Sequence, residues 1–426
     1  MINQNSMDTA TVPEIADKAG GLSSAAPEAG FRQELPRRKF PRLMKSLKTL
    51  WQALLLFLGT RLALYLLVYL SAVIYPGDFT QFSGEPFESP EAVASDVMTM
   101  FCQFDCKWFM SIAVSGYETY PNHLTTGHAA NWAFLPFYPL LGRYLAEYSG
   151  LSILQSFYLI SNICCFLGLL LWIRFLRMFR LSYETRLAGA FFYCVLPYSV
   201  YFIAPYTESL FMMFTIAAFM LAMKERYLPA ALCAMVMVAT KNIGVMFVFP
   251  LAIIFWQHNG FRAFFKLTDL KTAYFWLAFM LVPLPMFVFQ NWLWLSTGDA
   301  LAFKNIQLAW GRMMGNPFMH MLEGFASGGY KAYFAAFFAG CFIPIAYLLF
   351  RKRYAEGVFL LLGALIPVST GVNAIPRYMF GMMPMLLAFT LMMEGRPWFR
   401  NLLLTLSGML AVFISVAWAR GAFFTV

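Results

Sequence analysis

The sequence predicts an all-α, polytopic membrane protein. Of its 426 residues, 60% are hydrophobic and 18% are aromatic, and only 12% are charged. The mean hydropathy of +0.63 is higher than a water-soluble surface allows. The net charge of +10 does not indicate nucleic-acid binding, because Lys and Arg concentrate in short segments between apolar runs, as they do in cytoplasmic membrane loops.

The N-terminal region is predicted to be a cytoplasmic tail. Residues 1–30 are polar, rich in Ala, Gly, Ser and Glu, and lack the apolar core of a cleavable signal. The basic stretch Arg32–Lys48 then directly precedes the apolar run Leu50–Tyr75, which places the N-terminus in the cytoplasm by the positive-inside rule. We therefore predict a disordered polar and then basic tail over residues 1–48, and a single transmembrane domain over residues 49–426.

The segment after the first span is predicted to be a large extracytoplasmic loop, over about residues 76–131. Between Pro76 and Ala130 it carries seven Asp and Glu residues and a single basic residue, Lys107. This acidic balance fits the side of the membrane opposite to the basic tail.

Hydropathy predicts ten further spans, which with the first make about eleven transmembrane helices. They are expected near residues 153–174, 186–203, 208–223, 228–240, 244–256, 272–295, 331–350, 355–370, 377–393 and 400–418. The basic clusters between spans then fall on the same side of the membrane as the N-terminus, provided that the segment Trp132–Tyr148 does not cross the membrane. Pro136 and Pro139 disfavour a regular spanning helix there, so we expect an interfacial or re-entrant piece. The short spans around Lys241–Gly244 indicate a helix break that lines a cavity.

On this topology, seven ionisable residues come to the outer face near helix ends, where charge is costly and indicates a functional site. They are Asp105, Glu208, Lys241, Asp299, Lys304, Arg312 and Arg377. Each taken alone also fits a solvated loop residue, or an ion pair such as Glu208 with Lys241 that closes a helix bundle. Arg61 comes near mid-membrane, where we expect it to snorkel toward the cytoplasm, with a packing or lipid-phosphate role as the alternative.

Two of the seven cysteines, Cys102 and Cys106, share the polar outer loop. On a helix their spacing puts both sulfurs on one face, which leaves a disulfide or a metal site open. No second pair of metal ligands lies nearby, and the four histidines form no spaced cluster. The other five cysteines lie in apolar runs, where thiols behave as small hydrophobes.

The absence of several sequence motifs removes support for several classes of reaction. The sequence has no Walker loop, no nucleotide-binding glycine fingerprint, no His-Glu-x-x-His and no Gly-x-Ser-x-Gly. An outward carboxylate among several cations instead fits transfer of a group from a lipid-linked phosphate donor. The carboxylate takes a proton from an acceptor hydroxyl, and Arg or Lys neutralises the departing phosphate. Because sugar nucleotides are confined to the cytoplasm, the donor is expected to be a polyprenyl phosphate sugar.

Five segments also resemble, in order, the motifs of one known family. Phe104–Tyr117 is similar to the [RF]-[WF]-D-x-x-x-[FY]-x-x-I-A-x-x-G-Y segment of the PIG-V mannosyltransferases, the GPI mannosyltransferase II family of GT-C glycosyltransferases. The other four segments are Ala133–Leu140 (A-F-F-P-L-Y-P-L), Pro205–Phe211 ([AP]-Y-[ST]-E-S-L-F), Gly298–Phe303 with Gln307 (G-D-P-L-A-F-x-x-x-Q) and Ile375–Tyr378 (L-P-R-Y). The resemblance covers roughly residues 50–420. The chain departs from the family at Lys241 and Gln103, where an Arg is usual, and Lys lacks the planar fork of Arg.

The resemblance implies a GT-C-type catalytic domain that transfers a hexose, mannose, from a polyprenyl-phosphate (dolichol-phosphate-type) sugar to a hydroxyl of a lipid-linked or glycan acceptor at the extracytoplasmic face. It implies Asp105 as the catalytic base, and no metal or other cofactor. The expected substrate-binding residues are Lys107, Trp108, Trp132, Tyr138, Glu208, Lys241, Asn242, Asp299, Gln307, Arg312 and Arg377. For the aromatic residues among them, an interfacial belt is the alternative.

Short loops and a brief tail favour a bacterial inner membrane over the endoplasmic reticulum membrane. A polytopic transporter or flippase is the main alternative function, although it should show two similar halves and the sequence has no internal repeat. A non-catalytic scaffold in a glycosylation complex is the third.

Overall fold

The structure is a computed structural model that describes residues 40–74, 99, 101–118 and 129–425. The chain divides into two units, residues 1–47 and 48–426, and only the beginning of helix α1 is described in the first. The predicted disordered tail over residues 1–30 and most of the predicted outer loop lie outside the described residues. All that follows concerns the second unit.

Throughout the described ranges the regular elements are helices, with no strand. The helices of the N-terminal half are α1 (Phe40–Ile74), α2 (Cys106–Ser115), α3 (Phe137–Ser149), α4 (Ile153–Leu176), α5 (Tyr183–Cys194), α6 (Glu208–Ala222), α7 (Tyr227–Thr240) and α8 (Val248–Asn259). Those of the C-terminal half are α9 (Leu270–Leu281), α10 (Leu284–Thr297), α11 (Ala302–Asn305), α12 (Pro317–Ser327), α13 (Gly329–Phe350), α14 (Tyr354–Val368), α15 (Ile375–Phe380), α16 (Met383–Met393) and α17 (Pro397–Ala419).

Five helical stretches of the described chain are long and apolar enough to cross a membrane. They are Thr49–Ser71 within α1, α4, the α9–α10 stretch Leu270–Thr297, α13 and α17. Helices α6, α7, α14 and α16 are apolar but shorter. The predicted all-α polytopic membrane fold is confirmed, while several of the predicted spans are short or broken helices.

The predicted break between the two short spans is confirmed. Helix α7 ends at Thr240, Lys241 is extended, and a 3-10 helix over Asn242–Phe247 leads into α8. A side chain at Gly244 would come 2.6 Å from the backbone of Met237. The turn therefore folds back on α7 so closely that only glycine fits.

Three other predicted spans are broken where the sequence suggested one helix. In the span 272–295, α9 ends at Leu281 and α10 begins at Leu284, with Pro283 as its N-cap. In the predicted span 186–203, α5 ends at Cys194. Pro197 follows, and the helix does not continue through it because proline has no backbone N–H. A 3-10 helix over Ser199–Phe202 completes that segment. In the span 377–393, α15 and α16 meet at Gly381, and Pro384 occupies the first turn of α16.

The segment Trp132–Tyr148 is more regular than expected. It forms a 3-10 helix over Asn131–Ala133 and then the 13-residue helix α3. Pro136 is the N-cap of α3 and Pro139 lies in its first turn, where a missing N–H costs no helical hydrogen bond. At about 1.5 Å per residue the helix is about 20 Å long, shorter than the ~30 Å hydrocarbon core of a bilayer.

Arg61 does not snorkel, so that expectation was wrong. Its side chain is only 3% exposed. Nη2 donates to the carbonyl oxygen of Cys194 at 2.7 Å, and Nη1 donates to that of Ser199 at 3.4 Å. These carbonyls lie at and beyond the end of α5, where the helix has no further N–H partners. Arg61 therefore has the alternative role, packing, and caps the break between α5 and the next segment.

Candidate functional site

Four charged side chains from distant parts of the chain meet in one group, which we call the charge cluster: Asp105, Glu208, Lys241 and Arg377. Nη2 of Arg377 lies 2.7 Å from Oδ2 of Asp105, and its Nε lies 3.3 Å from Oε1 of Glu208. The same oxygen of Glu208 lies 2.8 Å from Nζ of Lys241. The cluster pairs two acids with two bases, which offsets the cost of burying each charge alone.

Helix ends position all four members of the charge cluster. Asp105 is the N-cap residue of α2 and Glu208 is the first residue of α6. Both carboxylates thus lie at helix N-termini, where the partial positive charge of the helix favours an anion. Lys241 follows the C-terminus of α7, where a cation is favoured, and Arg377 lies in the first turn of α15.

The members of the charge cluster differ in their access to solvent. Glu208 is 1% exposed and Arg377 is 7% exposed, while Lys241 is 17% and Asp105 is 24% exposed. No hydrogen bond between described residues uses Oδ1 of Asp105. Asp105 is therefore the carboxylate of the cluster that an incoming molecule can reach.

Three tyrosines surround the guanidinium of Arg377. Its central carbon lies 5.1 Å from the ring centre of Tyr201, 5.5 Å from that of Tyr206 and 5.0 Å from that of Tyr378. Such contacts are favourable cation–π interactions. Nε of Arg377 faces Glu208 at 3.3 Å, whereas Nη1 is buried and has no hydrogen-bond partner among the described residues. The guanidinium therefore keeps donors that an anion can use.

The backbone around Asp105 is held from two sides. The hydroxyl of Tyr206 donates to the carbonyl of Gln103 at 2.5 Å and accepts from the N–H of Asp105 at 3.0 Å. Between them, Phe104 takes a positive φ of 49°, which is uncommon for a residue with a side chain. Cys102 and Cys106 form a disulfide across the same segment, so of the alternatives left open for this pair, the structure has the disulfide.

Aromatic rings extend outward from the charge cluster. Trp108 stacks on Phe134 at a centroid distance of 5.9 Å, and Trp310 meets Trp108 edge-on at 5.7 Å. Trp310 keeps 37% of its surface exposed. Further along, Nη2 of Arg312 donates to the carbonyl of Asn373 at 2.8 Å, which ties this segment to the one that leads into α15.

Two aromatic residues predicted to face the sugar do not do so. Trp132 is 1% exposed and donates its indole N–H to the carbonyl of Glu118 at 2.6 Å. Tyr138 is fully buried, stacks on Phe157 at 4.8 Å, and shares a hydrogen bond with Ser161. Both rings pack in the protein core, so the prediction that they offer surface to a substrate is corrected.

Four more predicted residues lie outside the charge cluster. Asp299 uses both carboxylate oxygens locally, since Oδ1 accepts from the N–H of Leu301 at 2.8 Å and Oδ2 from Asn305 at 2.7 Å. Its role in the structure is to shape the turn before α11. The other three are Lys107, exposed on α2, Asn242, exposed beside the helix break, and Gln307, half-buried near Trp310.

The sequence did not point to the three tyrosines around Arg377. Tyr206 and Tyr378 lie within two residues of Glu208 and Arg377, inside the segments that resemble family motifs, so this proximity was an available signal. Tyr201 gave none, because its contact with Arg377 depends on how the segment after α5 packs.

Comparison with protein-family models gives no match, and comparison with curated proteins gives none either. Among solved structures, the chain is similar to a structure described as the crystal structure of ArnT from Cupriavidus metallidurans bound to undecaprenyl phosphate. The identity is 12% and the TM-score is 0.42, over 74% of this chain and 71% of that chain. A likeness at this level identifies no family.

Proposed function

We propose that the chain is a membrane glycosyltransferase of the GT-C type. It transfers the hexose mannose from a polyprenyl-phosphate (dolichol-phosphate-type) sugar to a hydroxyl of a lipid-linked or glycan acceptor. The observation that carries this proposal is the charge cluster, in which a reachable carboxylate adjoins a buried guanidinium with unused N–H donors. The ordered motifs that resemble the GPI mannosyltransferase II family support mannose as the sugar.

In this reaction the bond between the sugar C1 and the phosphate oxygen breaks, and polyprenyl phosphate leaves with an additional negative charge. Arg377 and Lys241 stabilise that charge. Because Arg377 is buried, water does not compete for its donors, and the electrostatic stabilisation is stronger than at a wet surface. A phosphate bound at Arg377 also competes with Asp105 for the guanidinium and so releases Oδ2 of Asp105.

Asp105 acts as the general base. It takes the proton of the acceptor hydroxyl while the acceptor oxygen attacks C1 from the side opposite to the phosphate, which inverts the configuration at C1. Glu208 is a poor candidate for this role because it is only 1% exposed and an acceptor cannot reach it. Glu208 instead holds Lys241 and Arg377 together through one oxygen.

We place the reaction at the extracytoplasmic face, and the protein in a bacterial inner membrane. The charge cluster lies at the helix ends opposite to the basic loops, which supports this side under the positive-inside rule. The Cys102–Cys106 disulfide beside Asp105 also supports it, because disulfides persist in oxidising compartments. The mechanism requires no metal, because Lys241 and Arg377 supply the positive charge.

The variant Asp105→Asn tests the proposal, because it keeps the size of the side chain and removes the base. Glu323→Gln is the matched control, since Glu323 is a 65% exposed carboxylate outside the charge cluster. Membranes with each variant receive labelled polyprenyl-phosphate mannose, and transfer of label to acceptor is measured. We expect Asp105→Asn to lower transfer by roughly 10²–10⁴-fold and Glu323→Gln to leave it unchanged. Transfer at the wild-type rate by Asp105→Asn would remove Asp105 from the mechanism.

A further inference from the structure

We infer that the protein has a second binding site, for the phosphate of an anionic membrane lipid, at the end of α1 that follows the basic tail. A cavity of about 110 Å³ opens there between α1, α4 and α5. Its polar lining comes from Thr49, Gln52, Arg177 and Arg186. The site lies apart from the charge cluster and does not depend on the proposed transferase function.

The charge of this cavity favours an anion. Two arginines line it, and no Asp or Glu does. Nη2 of Arg177 donates to the hydroxyl of Thr49 at 2.9 Å, and Nη1 of Arg186 donates to the carbonyl of Leu181 at 2.8 Å. A guanidinium has five N–H donors, so each arginine can add a bidentate contact with a phosphate.

Nearby carboxylates are already engaged outside the cavity. Glu184, in the first turn of α5, pairs with Arg400 at 2.8 Å. Glu394 accepts hydrogen bonds from the backbone and side chain of Ser182, and its charge also acts on Arg186. Glu394 thus offsets part of the charge of Arg186, but neither acid lines the cavity, so no carboxylate of the described chain occupies the place of a bound anion.

The size and rim of the cavity favour a lipid phosphate over a larger soluble anion. One water molecule occupies roughly 10–15 Å³ of such a cavity volume. The cavity therefore holds a phosphate-sized group but not a nucleotide. Leu187 lines the cavity and is 49% exposed, and Leu55 on α1 is 54% exposed. Leu187 follows Arg186 on α5, and Leu55 precedes the lining residue Leu56 on α1, so exposed apolar surface adjoins the cavity and an acyl chain can run along it while the phosphate binds Arg177 and Arg186.

Native mass spectrometry of the purified full-length protein tests this site. Phosphatidylglycerol and phosphatidylcholine are added separately, and the dissociation constant of the first bound lipid is measured. We expect the wild type to prefer phosphatidylglycerol. The double variant Arg177→Gln/Arg186→Gln should weaken its binding roughly thirtyfold, the loss expected for two basic residues beside a lipid phosphate. The control Arg262→Gln/Lys266→Gln removes the same charge from an exposed connection and should bind like the wild type.

Further arms separate charge, folding and the source of the phosphate. Arg177→Lys/Arg186→Lys keeps the charge and should recover part of the affinity, which a loss of fold would not allow. Inorganic phosphate at equal concentration should not displace phosphatidylglycerol. Equal lipid binding by the wild type and the Gln double variant would overturn the proposal, as would an equal loss in the control. Displacement by inorganic phosphate would overturn the lipid assignment.

Discussion

Replacing Tyr206 with Phe removes a single oxygen atom that fixes the segment carrying Asp105. That hydroxyl donates to the carbonyl of Gln103 at 2.5 Å and accepts from the N–H of Asp105 at 3.0 Å. The ring itself is 1% exposed and stays in place, because Phe keeps its shape and its contact with Arg377. The substitution therefore tests the two hydrogen bonds and little else.

The expected cost follows from what is left unpaired. Each hydrogen bond contributes about 1 kcal/mol net, so the free energy of unfolding should fall by about 2 kcal/mol. The effect on catalysis should be larger than this loss suggests, because the backbone on either side of Phe104 loses the hydroxyl that joins Gln103 to Asp105. A displacement of about 1 Å at a reacting group lowers rates by roughly a hundredfold, which corresponds to about 2.7 kcal/mol in the activation barrier.

The assay compares thermal melting in detergent with transfer from labelled polyprenyl-phosphate mannose. Tyr227→Phe is the matched control, since it removes a tyrosine hydroxyl that accepts from Asn259 at 3.1 Å, at the opposite end of α7 from Lys241. The control should melt slightly earlier and transfer normally. If Tyr206→Phe retains wild-type transfer at a reduced melting temperature, Tyr206 stabilises the fold but does not position Asp105, and the reasoning is refuted.

Three other substitutions test the structure by thermal melting. Ala374 has a φ of +66° before α15, so Ala374→Gly should stabilise the protein by about 1 kcal/mol by relieving left-handed strain; a lower melting temperature would contradict this. Arg61→Met should cost roughly 3 kcal/mol, because two carbonyls lose a charged donor, whereas a snorkelling Arg61 would leave melting unchanged. Burial raises the pKa of Glu394, but hydrogen bonds from Thr185 and Ser182 outweigh this and lower it below 4.5. Its stabilising contribution is thus complete above the unfolded pKa of 4.5 and is lost as the pH falls through the lower folded pKa. The wild type should therefore have a higher melting temperature than Glu394→Gln at neutral pH, and the difference should disappear in acid. A difference that stays constant with pH would contradict the assignment.

Sequence reasoning located most of the helices, because long apolar runs in a membrane must pair their backbone groups internally, but it did not show that several of these runs form short or broken helices. It also anticipated that Asp105, Glu208, Lys241 and Arg377 lie together, since the alternation of basic and acidic loops assigns helix ends to one side of the membrane. The break at Lys241 was visible because two apolar runs were each too short to span.

What the sequence could not supply depends on contacts between distant residues. Arg61 caps carbonyls that lie 133 and 138 residues further along the chain, and nothing local marks them. The effect of a proline depends on its place, since Pro139 lies in the first turn of a helix while Pro197 follows the end of one. Composition also cannot tell a core aromatic residue from an interfacial one, and the family resemblance that assigned Trp132 to the sugar site does not show how its ring packs.

Whether the protein transfers mannose is tested by following polyprenyl-phosphate mannose given to the purified protein in sealed vesicles that contain acceptor lipids. Mass spectrometry of the vesicle lipids and a sidedness assay follow the donor. We expect that the donor is consumed, that polyprenyl phosphate and a mannosylated acceptor appear in equal amounts, and that Asp105→Asn abolishes both products. Donor that stays intact but moves to the opposite leaflet would contradict the account and identify a flippase.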